Sequence, residues 1–106
     1  MQNISTTNEL KTALEAPAAV LLKYSTTCPI SANARREMTS LEARHPDLTI
    51  YGVDVHRASN VSAAVAEQLG VEHESPQLFI LRDGEPVYTV THWDISAIDL
   101  EKRLAD

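Results

Sequence analysis

Ala18-Ala19-Val20-Leu21-Leu22-Lys23-Tyr24 runs into Ser25-Thr26-Thr27-Cys28-Pro29-Ile30-Ser31, and this stretch decides how the chain is read. Its first seven residues are almost continuously apolar, as in a short central parallel strand covered on both faces. Beyond Cys28 the spacing turns helical, from about Pro29 to Ala43. Ile30, Ala34, Met38 and Leu41 make an inner stripe, and Arg35, Arg36, Glu37 and Glu42 mostly face water. Cys28, the only cysteine, therefore stands where a strand hands over to a helix. A thiol there meets free backbone N–H groups and the positive end of the helix dipole, which favour the thiolate. Pro29 suits the first turn, because its missing N–H would have no intrahelical partner there. Cys28 and Ser31 have the spacing of a Cys-x-x-Cys redox motif with serine in place of the second cysteine. These residues fit a one-thiol active site. Taken alone, they equally fit a small buried cysteine without chemistry.

On the N-terminal side, Thr6-x-x-Glu9 resembles a capping box, and Leu10, Ala13 and Leu14 follow at helical spacing until Pro17. On the C-terminal side, His45-Pro46-Asp47 breaks the helix. Leu48 to Val55 alternates and is β-branched, which predicts a second strand. Ser59 or Asn60 then caps a helix with Val61, Ala64, Val65 and Leu69 on its inner side, closed by Gly70. Gln77 to Leu81 reads as a strand, Arg82-Asp83-Gly84-Glu85 as a turn, and Val87 to Thr91 as the hairpin partner. A last helix starts near Asp94 or Ser96 and carries Ile98, Leu100 and Leu104. The order α, β, α, β, α, β, β, α predicts an α/β protein with a four-stranded mixed sheet and helices on both faces. Its first crossover should be right-handed. A cysteine motif opening the first crossover helix of such a unit is the thioredoxin arrangement.

The 106 residues suit a single thioredoxin-like domain over positions 1–106, and 43% hydrophobic content can build its core without disulfides or metal. Nine Lys+Arg against fifteen Asp+Glu give a net charge of −6, which argues against nucleic acid and anionic membranes as partners. Met1 to Ser5 lacks a signal-peptide pattern, no apolar run approaches a membrane span, and the lone cysteine points to a reducing cytoplasm. One cysteine and four scattered histidines make no zinc spacing, so no metal is expected.

Thr26-Thr27-Cys28-Pro29 resembles the glutaredoxin active site. The longer run Ser25 to Ala34 resembles the one-cysteine bacilliredoxins, the bacillithiol-linked relatives of glutaredoxin. Gly70-Val71-Glu72-His73-Glu74-Ser75-Pro76-Gln77 is similar to that family's segment before the third strand, and His92-Trp93-Asp94-Ile95 to its segment before the last helix. The resemblance implies a thioredoxin fold, Cys28 as nucleophile, and disulfide exchange with S-bacillithiolated client proteins. Bacillithiol is then a co-substrate, with no permanently bound cofactor. Two positions depart from relatives. Leu22 stands where thioredoxins carry a buried acid, and Ser25 where many glutaredoxins carry a lysine. Thiolate stabilisation then rests on the helix terminus, on local hydroxyls such as those of Thr27 and Ser31, and on a histidine.

The resemblance further implies a cis Ser75–Pro76 bond beside the thiol, with the backbone at Ser75 free to pair with an extended substrate. His92 and Trp93 fall at a junction on the same sheet edge as Cys28. Trp93 is a candidate wall of the thiol pocket, His92 a candidate support for the thiolate or for an anionic part of bacillithiol, and Asp94 a candidate helix cap. Two other functions compete. A thioredoxin-fold module could bind proteins with an inert lone cysteine. A cluster-carrying glutaredoxin would have Gly after the cysteine, where this chain has Pro29.

Overall fold

A computed structural model describes residues 1–105. The elements are β1 (Gln2–Asn3), α1 (Thr7–Glu15), β2 (Ala18–Tyr24), α2 (Pro29–Arg44), β3 (Ile50–Asp54), α3 (Ser59–Leu69), β4 (Gln77–Arg82), β5 (Glu85–Thr91), a 3₁₀ turn (His92–Asp94) and α4 (Ala97–Leu104). The strands form one sheet in the order β1-β3-β2-β4-β5. β1 and β2 run parallel to β3, and β4 is antiparallel to both β2 and β5.

The sheet has five strands, not four. The extra one, β1, is two exposed polar residues hydrogen-bonded along β3, with Gln2 opposite Tyr51 and Asn3 opposite Gly52. Its pairing uses only backbone groups, so no side-chain alternation announces it.

β2 is central, and its period of two divides the core. Val20, Leu22 and Tyr24 face α2 and α4, where they meet Ala34, Met38, Leu41, Ile95 and Leu100. Ala19 and Leu21 face α1 and α3, where Leu10, Val61 and Val65 cover them, with Phe79 of β4 beside Leu21 in the sheet. Both faces of β2 are thereby buried, which is why its sequence is a continuous apolar run rather than an alternating one.

Local signals act where the residues place them. Glu9 N–H donates to Thr6 Oγ1 at 3.1 Å and Thr6 N–H donates to Glu9 Oε1 at 3.1 Å, a complete capping box on α1. Asp83 and Gly84, with φ of 52° and 79°, make the tight turn between β4 and β5. α3 differs from expectation. Ala58, not Ser59 or Asn60, is its N-cap, and the preceding turn is held by Asp54, whose Oδ1 accepts from His56 N–H (2.9 Å) and Arg57 N–H (3.1 Å). At α4, Ser96 rather than Asp94 is the cap, accepting from Asp99 N–H at 3.3 Å. Asp94 ends the 3₁₀ turn instead. No helix among the described residues is long and apolar enough to cross a membrane.

Candidate active site

Cys28 is the N-cap of α2, in extended conformation (φ −105°, ψ 126°), with Pro29 in the first turn. Its carbonyl accepts from Ala32 N–H at 3.0 Å and starts the helix ladder. Its side chain is partly exposed. The thiol is held below the ordinary thiol range. The Ser31 N–H contributes most and the Ile30 N–H next; partial desolvation opposes them, and the Ser31 hydroxyl adds a further hydrogen bond to sulfur. These are free donors of a helix first turn, so the helix terminus itself stabilises the anion.

Ser31 is fully buried. Its oxygen accepts from Ser25 N–H at 3.0 Å, which leaves the hydroxyl proton for sulfur. Ser25 also organises the loop. Its Oγ accepts from Thr27 N–H at 3.2 Å and lies 3.1 Å from Thr27 Oγ1. Thr27 thus shapes the turn that presents Cys28, through Ser25.

On one flank of Cys28, the Ser75–Pro76 bond is cis, and Pro76 is buried at the start of β4. Pro76 C=O accepts from His92 N–H at 3.0 Å, while the Ser75 backbone has no backbone partner among the described residues. Buried Gln77 braces this loop, accepting from Glu74 N–H at 3.3 Å and donating to Glu72 C=O at 3.0 Å. His92 takes a left-handed backbone (φ 54°), and its Nε2 lies 3.9 Å from Glu74 Oε2. His92 is therefore turned to a carboxylate and is not among the groups that depress the Cys28 thiol. Trp93 is 64% exposed, so it stands out from the surface rather than lining an enclosed pocket.

Sequence reasoning missed three features. Lys23 is fully buried, and its amine has no hydrogen-bond partner among the described residues. Burial pushes its pKa down to about 8. His73 nearby is also pushed down, by partial burial and then by the Lys23 charge. The only signal was a lysine inside an otherwise apolar strand. In the sequence Gln77 is simply the first residue of a strand, with no sign of its bracing role. On the β3 side of β2, Arg35 lies over the Tyr24 ring and Arg57 shares a recess with Tyr24, residues far apart in the chain with no shared motif.

A family profile described as "Monothiol bacilliredoxin BrxC" matches residues 2–100. A solved structure described as a candidate oxidoreductase with a thioredoxin fold is 31% identical over 95% of this chain and 90% of its own, with a TM-score of 0.89. Mitochondrial thioredoxin 3 of Saccharomyces cerevisiae, in oxidised form, superposes with a TM-score of 0.77 at 17% identity, over 100% of this chain and 94% of that one. The oxidised thioredoxin of Plasmodium falciparum gives 0.80 at 14%, over 100% and 99%. The two thioredoxins speak for the fold alone.

Proposed function

The chain belongs to the monothiol bacilliredoxin family of thioredoxin-fold thiol–disulfide oxidoreductases, and from that membership we propose that it removes bacillithiol from protein mixed disulfides through Cys28 alone. The Cys28 thiolate attacks the bacillithiol sulfur of the client disulfide. The client cysteine leaves as a thiolate and takes a proton from water, and Cys28 is left disulfide-bonded to bacillithiol. A second bacillithiol thiolate attacks the bacillithiol sulfur of that bond, giving bacillithiol disulfide and free Cys28. Bacillithiol is thus a co-substrate, S-bacillithiolated proteins are the partners, and the reaction suits a reducing cytoplasm.

One observation carries this reading. Ser31 occupies the place of a resolving thiol, buried, with N–H and hydroxyl both directed at the Cys28 sulfur. It can stabilise the thiolate and cannot displace a bound thiol. The unpaired Ser75 backbone and the exposed Trp93 supply a surface on which a client segment around the disulfide can lie.

Intact mass after one equivalent of bacillithiolated client is the test. The expected product is the chain plus one bacillithiol, with none on Cys28→Ala. An unmodified chain, with Cys28 alkylated no faster than in denatured protein, would instead identify a binding module with an inert cysteine.

A further inference from the structure

We propose that the recess beside Thr26 binds the carboxylate end of the small thiol that exchanges with Cys28, and that Arg57 and Arg35 are its specificity-determining residues. The inference rests on the reading of Cys28 as an exchanging thiol and adds where the rest of the small molecule lies.

The recess has a volume of about 310 Å³, and Asn3, Ser5, Tyr24, Thr26, Asp54 and Arg57 contribute to its walls. Thr26 ties it to the active-site loop, two residues from Cys28. The Arg35 guanidinium lies over the Tyr24 ring, 5.1 Å from the centroid. Burial first and the Asp54 carboxylate second raise the Tyr24 phenol pKa, and the Arg35 and Arg57 charges oppose them. Arg35 stands on α2 seven residues after Cys28, about two turns and roughly 10 Å along the same helix face. Neither guanidinium has a carboxylate within 4.0 Å among the described residues. Asp54 is the one acid in the walls. It is nearly buried, and its Oδ1 is taken by the N–H groups of His56 and Arg57. In a chain of net charge −6, two exposed arginines thus lie around Tyr24 against the single carboxylate of Asp54, Arg57 in the wall of the recess and Arg35 in that of the neighbouring hollow on α2. A guanidinium fork matches a carboxylate with two parallel hydrogen bonds.

The opposite flank has the other sign. Glu72, Glu74 and Asp94 lie there with two histidines, His73 and His92; His92 faces Glu74, and the pKa of His73 is pushed down by burial and then by the Lys23 charge. A carboxylate is repelled on that side and attracted on the Tyr24 side. The larger cavity of about 720 Å³ against α3 includes Glu67 and Glu72 in its walls and is no better suited to an anion. Cys28 therefore sits between a cationic recess for the small thiol and the Ser75 backbone edge for the client.

The test compares Cys28 modification by bacillithiol disulfide, which carries carboxylates, with that by neutral hydroxyethyl disulfide. In each reaction Cys28 attacks one sulfur, and the other half leaves as a thiolate. Arg57→Gln, Arg35→Gln and the double variant are measured by intact mass against time. The double variant should lose about tenfold in rate toward bacillithiol disulfide, as expected for one lost charged hydrogen bond of roughly 1.4 kcal/mol. The neutral disulfide should react as before, and added salt should narrow the difference between reagents in wild type only. Unchanged selectivity in the double variant, or an equal loss with both disulfides, overturns the subsite. A wild-type chain that reacts with neither disulfide overturns the exchange reading as well.

Discussion

The backbone N–H of Ser25 donates to the hydroxyl oxygen of Ser31 at 3.0 Å, across the loop that presents Cys28. This bond settles which way the buried hydroxyl points, since its accepting side is occupied and its proton is left for sulfur. Ser31→Ala should therefore act twice. The midpoint of Cys28 alkylation against pH should rise, yet stay below that of an ordinary thiol, because the Ser31 and Ile30 N–H groups remain. Stability should fall by about 1–3 kcal/mol from the orphaned Ser25 N–H, measured by urea unfolding.

Ser31→Cys should change turnover. Wild-type protein should stall as the Cys28–bacillithiol disulfide until an external thiolate attacks, so its rate should follow the concentration and thiolate fraction of that thiol. The variant places a second thiol one helical turn from the first. It should release bacillithiol without help and form an internal disulfide. Mass spectrometry of both proteins after one equivalent of bacillithiolated client distinguishes them. Release from wild type without added thiol would end the one-thiol mechanism.

The lowered thiol pKa has a consequence for stability with a definite sign. The folded state favours the Cys28 thiolate, so this contribution is present above the unfolded thiol pKa of about 8.5 and is lost as pH falls through the lower folded value. Fast alkylation should persist to lower pH in native than in denatured protein. Coincident profiles would contradict the helix-terminus account.

Lys23 should prove destabilising. Burying an unpartnered polar group costs about 1–3 kcal/mol, and Lys23→Met keeps the volume while removing the amine. The variant should melt several degrees higher at neutral pH. The folded amine titrates near 8 and the unfolded one near 10.4. Between these values the unfolded chain binds more protons, so wild type gains stability as pH rises. The part of the variant's advantage that comes from the buried charge should be full below about pH 8 and gone above about 10.4, while the part that comes from the unpartnered neutral amine remains. A destabilised Lys23→Met would show that the amine has a partner in solution.

Gly84 and Gly70 provide a controlled pair. Both have positive φ, 79° and 66°. A Cβ on Gly84 would lie 2.8 Å from the Leu14 carbonyl oxygen, whereas one on Gly70 would meet nothing within 4 Å. Gly70→Ala should cost about 1–2 kcal/mol for the left-handed backbone alone, and Gly84→Ala clearly more, by thermal or urea unfolding.

The elements legible in the chain were those whose signals lie within a few residues. The Thr6–Glu9 box, the apolar run of β2, the Asp83-Gly84 turn and the strand-to-helix junction at Cys28 all depend on short-range hydrogen bonding or periodicity. Element boundaries were less legible. α3 starts after Ala58, on a turn held by Asp54, where the sequence offers Ser59 or Asn60, and of Asp94 and Ser96 it is Ser96 that caps α4, since several neighbouring polar residues can offer an oxygen.

By itself the sequence determined the order of the four helices and of strands β2 to β5, the burial of both faces of β2, and the placing of a lone cysteine at a helix N-terminus. Local propensity and periodicity suffice for these. Only the tertiary structure decided that Lys23 loses all contact with water, that Gln77 braces the Ser75 loop, that His92 turns to Glu74, and that Arg35 and Arg57 converge on Tyr24. Each of these depends on residues brought together by the sheet order β1-β3-β2-β4-β5, and the charge and burial around a side chain exist only once those distant segments meet.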